Sequence, residues 1–228
     1  MRWVAASVHL LTALGAVAAL FAVLAILDHH AERMFFWLGI ALVIDGIDGI
    51  FARAVKVSER LPRFSGERLD LVVDYLTYVF VPVLALLTWH YLDGTSGLVI
   101  SALILLSSLY HFADTESKST DNAFVGFPAI WNIVAFYVFA LALSPAFTAL
   151  VCMIGVLAAF LPLPWVHPFR VVAFKPVTLT ATAAFAASSI LTVRGGFPAS
   201  GIQQALLLAV ALYGIGLSVY LWTRPNEP

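Results

Sequence analysis

Four aspartates carry the chemistry of this chain. Asp45 and Asp48 stand three residues apart near the end of one apolar run, and Asp70 and Asp74 stand four apart at the start of the next. On helices turning about 100° per residue, Asp45 and Asp48 fall roughly 60° apart on one face. Gly66, Asp70 and Asp74 step by roughly 40° along another. Insertion scales put a carboxylate in hydrocarbon at roughly 2.5–3.5 kcal/mol, so four of them call for compensation by cations even near the interface. Two divalent cations would neutralise four carboxylates and leave an open face for a phosphate. Ligation by oxygen alone suits Mg²⁺ or Mn²⁺ rather than zinc. The competing account is a structural ion-pair network with Arg53, Arg63 and Arg68. Acids at i,i+3 and i,i+4 spacing, with Gly49 and Gly66 beside them, favour the metal site.

The elements that must position these residues are membrane helices. The 228 residues are 62% hydrophobic and 11% charged, against roughly 45–50% apolar and about 25% charged in soluble domains, so the chain needs lipid as its solvent. Apolar stretches at 5–27, 34–51, 69–92, 97–112, 126–143, 146–163, 177–193 and 203–222 predict about eight transmembrane helices in a single all-α, polytopic domain over 1–228. Helices rather than strands are indicated, because the stretches lack alternating polarity and an open sheet leaves backbone groups unpaired in lipid. Eight crossings put both termini on one side with segments 52–68, 113–125 and 164–176. Of the twelve basic residues, only Arg33 and Arg194 fall on the other side. The positive-inside rule then predicts a cytoplasmic face for both termini and the aspartates. A net charge of −1 argues against nucleic-acid binding. Cys152, alone in an apolar run, reads as a packing residue.

At 45–74 the residues spell Asp45-x-x-Asp48-Gly49-x-x-Ala52-Arg53, twelve residues, then Gly66-x-x-x-Asp70-x-x-x-Asp74. This resembles the signature of the CDP-alcohol phosphotransferase family, and the gap of twelve is similar to that of its bacterial phosphatidylcholine synthase branch. The resemblance extends to His9 and Thr12, to Tyr110-His-Phe-Ala-Asp114-Thr-Glu116-Ser-Lys118, to Gly126-Phe-Pro-Ala-Ile-Trp131-Asn132 and to His167-Pro-Phe-Arg170-Val.

That resemblance implies a six-helix core in the bacterial inner membrane and a reaction in which the choline hydroxyl attacks CDP-diacylglycerol, giving phosphatidylcholine and CMP. It implies that Asp45, Asp48, Asp70 and Asp74 bind two divalent cations, Mn²⁺ or Mg²⁺, with Asp74 as general base. Gly49, Ala52, Arg53 and Gly66 would form the nucleotide site. Arg170 and Lys175 could hold the lipid phosphates or anchor the helix to anionic headgroups. A quaternary ammonium offers no N–H, so its recognition must come from aromatic faces and acids. The densest such cytoplasmic segment predicts a cage of Asp114, Glu116 and Trp131, helped by Tyr110 and Phe112 and supported by Asn132. Another acceptor such as serine, inositol or glycerol phosphate is the alternative within the class, and a cation-coupled transporter the alternative outside it. The sequence is compatible with a homodimer.

Overall fold

The structure, a computed structural model, describes residues 2–114, 124–162, 164–165 and 174–223. Helix α1 (Arg2–Leu27) and α2 (Ala31–Val55) form a tight antiparallel hairpin, turned at His29 with φ 54°. Lys56, at φ 52°, ends α2 in a left-handed cap, and a single helical turn, α3 (Val57–Arg60), follows. Ser65 opens the next span by accepting the Arg68 amide on its side chain at 3.2 Å, as an N-cap should.

That third span runs through α4 (Gly66–Asp74), a π-helical stretch at Tyr75–Phe80 and α5 (Val81–Thr88) without interruption. Pro82 explains the wide turn. It has no N–H for the Tyr78 carbonyl and its ring crowds that carbonyl, so the ladder ahead of it opens. Next comes α6 (Gly94–Ala113), capped by Asp93, whose side chain accepts the Gly94 amide at 2.8 Å. That amide and the His90 ring hold the Asp93 carboxyl below its ordinary range.

Two shorter helices follow, α7 (Trp131–Ala140) against the third span and α8 (Pro145–Ala158) against α6. The chain before α7 and the chain after α8 are joined by a two-residue antiparallel bridge between β1 (Phe124–Val125) and β2 (Pro164–Trp165). Helices α9 (Lys175–Gly195) and α10 (Gly201–Thr223) complete the bundle, packed together partly through a 2.7 Å hydrogen bond between the Thr178 and Tyr213 hydroxyls. Large apolar side chains such as Leu10, Val43, Leu106 and Leu212 stay exposed, as lipid-facing positions must. Cys152 is fully buried in the core.

Among the described residues, six helices are long and apolar enough to cross a membrane. The expected fifth and sixth spans are the exceptions. With 10 and 14 residues, α7 and α8 reach about 15 and 21 Å, short of the roughly 30 Å hydrocarbon core. Hydropathy extends the first of them back to residue 126, but Gly126 (φ 82°), Pro128 and Ala129 (φ 55°) break the helix before Trp131. The segment 126–130 is irregular, and Phe127 and Ala129 are 5% and 2% exposed. Non-helical backbone at membrane depth is tolerated where protein covers it. Ser144–Pro145 proves to be a turn, its serine hydroxyl accepting the Phe147 amide at 3.3 Å.

Candidate active site

Helix α2 and the third span turn their acids toward each other. One oxygen from each of Asp45, Asp70 and Asp74 lies within 4.8 Å of the others, and Asp48 lines the same cleft with Thr12 and Thr77. Asp48 is 7% exposed. Its Oδ2 accepts the Thr12 hydroxyl at 2.5 Å, and Asp45 Oδ2 accepts the Tyr78 hydroxyl at 2.7 Å. Neutral hydroxyls orient a carboxylate without cancelling its charge. An all-oxygen acidic cluster with such partners fits a hard divalent cation.

Asp45 follows the start of α2 at Ala31 by fourteen residues, and Asp74 precedes the end of α5 at Thr88 by the same number, so the acids lie well along both helices. Helix α2 continues past the acids to Val55, carrying Arg53 beyond the cluster.

Helix α1 is the third wall. A Cβ on Gly15 would stand 2.5 Å from Val73 Cγ1, and one on Gly66 would stand 3.1 Å from the His9 ring. The close approach at Gly15 sets α1 against α4, with Thr12 between the two contacts and level with Asp48. Gly49 stands beside the exposed Arg53, whose Nη1 lies 3.3 Å from where its Cβ would be. Ala52 packs on Ala5, Val8 and Val57.

The residues expected to meet choline divide. Tyr110, Phe112 and Asp114 lie at the end of α6. Tyr110 packs at a tilt against Phe160 (5.0 Å) and Phe112 stands edge-on to Tyr75 (6.2 Å), the residue after Asp74. Trp131, by contrast, is 1% exposed. Its indole N–H donates to Ser108 Oγ at 2.8 Å, and its ring fills the space where a Gly155 Cβ would come within 2.7 Å. It is packed within the protein because the buried segment before it carries it inward. Asn132 faces an apolar groove between α2, α7 and α9 and accepts the Ile133 amide at 2.8 Å. Lys175 is exposed at the start of α9, while Arg170 and Glu116 lie outside the described residues. The sequence reading missed Tyr78, although it continues the four-residue step from Gly66 through Asp70 and Asp74.

Fold and site together define a multi-pass helical membrane protein whose cleft gathers carboxylates that could hold a metal ion. No protein-family model matches the chain. It is 39% identical to the phosphatidylcholine synthase of Pseudomonas aeruginosa over 220 residues, covering 96% of this chain and 92% of that one. It is 40% identical to the phosphatidylcholine synthase of Bradyrhizobium diazoefficiens over 93% of this chain and 80% of that one. It is 28% identical to that of Borreliella burgdorferi over 94% and 92%. The chain belongs to the phosphatidylcholine synthase family.

Proposed function

We propose that this protein transfers the phosphatidyl group of CDP-diacylglycerol to choline, releasing phosphatidylcholine and CMP. The observation that carries the reading is the convergence of Asp45, Asp70 and Asp74 in one cleft, on a chain whose relatives are phosphatidylcholine synthases.

Asp45, Asp48, Asp70 and Asp74 would hold two divalent cations, Mg²⁺ or Mn²⁺. Bound there, such ions supply the positive charge that offsets the diphosphate and the charge developing in phosphoryl transfer. Asp74 takes the proton from the choline hydroxyl as its oxygen bonds to the phosphorus that bears diacylglycerol, and the bond from that phosphorus to the CMP oxygen breaks. A free hydroxyl is a poor nucleophile, so a carboxylate within hydrogen-bond reach is required. Gly49, Ala52, Arg53 and Gly66 hold the nucleotide at the end of the cleft where α2 and α4 meet the loop, and Lys175 and Arg170 contact the lipid phosphates.

The ammonium site centres on Tyr110, Phe112 and Asp114 at the end of α6, together with Glu116. Trp131 backs it as a packed wall and Asn132 fixes the start of α7. Support comes from the ring contact between Phe112 and Tyr75, which brings the aromatic end of α6 beside the residue following the base.

The experiment is CMP release by purified protein from CDP-diacylglycerol with a panel of acceptors. Choline should support turnover, while serine, inositol and glycerol phosphate should not. Preferential use of another acceptor removes the choline assignment, and no CMP release with any acceptor removes the transferase.

The same reading places the cleft, the loop after α2 and both termini at the cytoplasmic face of a bacterial inner membrane. Ser58 and Ser96 are exposed near opposite ends of the bundle, and the native Cys152 is buried and silent. A cysteine at Ser58 should resist an impermeant thiol reagent in intact cells and label after permeabilisation. One at Ser96 should label in intact cells. The reverse pattern overturns the orientation.

A further inference from the structure

Asp45 and Asp48 are each held by a hydroxyl from outside the 45–74 motif or from a part of the third span beyond it. Thr12 comes from the middle of α1 and reaches Asp48 at 2.5 Å. Tyr78 comes from the π-helical stretch and reaches Asp45 at 2.7 Å. We infer that Thr12 and Tyr78 are positioning residues that orient these two carboxylates toward the centre of the cleft. The inference rests on the proposed metal-dependent transfer at this site.

The terminal torsion of an aspartate is broad and roughly two-fold, so a carboxylate in a cleft needs a partner to fix its plane. A hydroxyl occupies one lone-pair direction of Oδ2 and leaves the remaining directions and the full negative charge for a cation. Such outer partners typically change metal affinity by about 10–100-fold when removed.

The fold goes to some length to supply each donor. Thr12 has an alternative within its own helix, the Val8 carbonyl, but that distance is 3.4 Å. A threonine serving only the helix would settle on that carbonyl. Here the hydroxyl is set closer to Asp48, and it is 7% exposed because Gly15 lets α1 come down onto Val73. On the third span, each four-residue step in an α-helix drifts by about 40°. After Asp74 the wider π-helical turn winds that drift back, which keeps Tyr78 over the stripe of Asp70 and Asp74 and aims its hydroxyl across at α2. π-Helical turns recur at functional sites, and this one begins at the residue after Asp74.

The test is Mn²⁺ binding to purified protein in detergent without lipid substrate, followed by the electron paramagnetic resonance signal of free Mn²⁺. Tyr78→Phe should weaken Mn²⁺ binding by about tenfold or more. Tyr137→Phe removes a buried hydroxyl that donates elsewhere, to the Leu207 carbonyl at 3.0 Å, and should leave it unchanged. Thr12→Ala and Thr12→Ser both lose the methyl and differ in the hydroxyl, so they separate orientation from packing. Alanine should weaken binding by about tenfold and serine should hold it within about twofold of the parent. Equal affinities for the alanine and serine variants, or a Tyr78→Phe protein that binds Mn²⁺ like the parent, overturns the inference. A parent that binds no Mn²⁺ overturns it as well. Because no substrate is present, a parent that binds Mn²⁺ but releases no CMP instead overturns the transferase reading, and the variant comparison still decides the positioning role.

Discussion

Asp74→Asn should lower kcat by about 10²–10⁴-fold at saturating metal, CDP-diacylglycerol and choline, the range that a positioned general base contributes. Asparagine keeps the shape and one oxygen but cannot take the choline proton. Asp70→Asn serves as the contrast. Asp70 shares the 4.8 Å cluster but has no proposed part in proton transfer, so its loss should appear mainly as a higher metal requirement and be largely recovered by added Mn²⁺ or Mg²⁺. Chelation of the parent should abolish CMP release, with either ion restoring it. Full activity in excess EDTA would sink the mechanism, and equal kcat losses in the two variants at saturating metal would remove Asp74 as the base.

The second large effect is structural. Gly126→Ala should destabilise the protein by about 2–4 kcal/mol. Gly126 has φ 82°, and its Cβ would meet the Ala159 carbonyl oxygen at 2.7 Å and its carbon at 3.3 Å. A left-handed conformation costs a residue with a Cβ about 1–2 kcal/mol, and overpacking adds about 1–3 kcal/mol. Backbone is what blocks the way, so no side-chain rotation can relieve it. In detergent the unfolding temperature should fall by roughly 5–15 °C. Gly214→Ala, on α10 with no atom within 4 Å of its Cβ, is the control and should be near neutral. Matching melting temperatures for the two variants would mean that the 124–130 and 158–165 segments are not held together as described.

What the sequence could convey followed from local spacing. Asp45, Asp70 and Asp74 were legible because i,i+3 and i,i+4 steps fix a helical face whatever surrounds it, and six of the apolar runs were long enough to declare themselves. Thr12 and Asp48 are 36 residues apart, and their meeting depends on the approach of α1 to α4 at Gly15, which no local pattern encodes. The interior position of Trp131 was hidden for a different reason. Aromatic and acidic residues crowd together along the chain from Tyr110 to Trp131, and density along a sequence says nothing of burial. The irregular segment after Gly126 leads Trp131 inward onto Gly155, whereas Tyr110 on α6 is exposed. Hydropathy also reads a buried irregular segment and a buried helix alike, so it extends the span back over residues 126–130.

The brevity of α7 and α8 bears on how the protein is made. A stretch of 10 or 14 apolar residues is too short to partition into a bilayer as a self-sufficient segment, and the non-helical backbone ahead of α7 has polar groups that lipid cannot satisfy. Longer neighbours must therefore offer a protein wall first. The third span supplies one, and Trp131 and Phe136 find their partners on α6 and α2 at Ser108 and Phe35. Biogenesis thus acquires an order: the long helices that precede α7 and α8 in the chain must be in place for α7 to settle on the third span and α8 on α6.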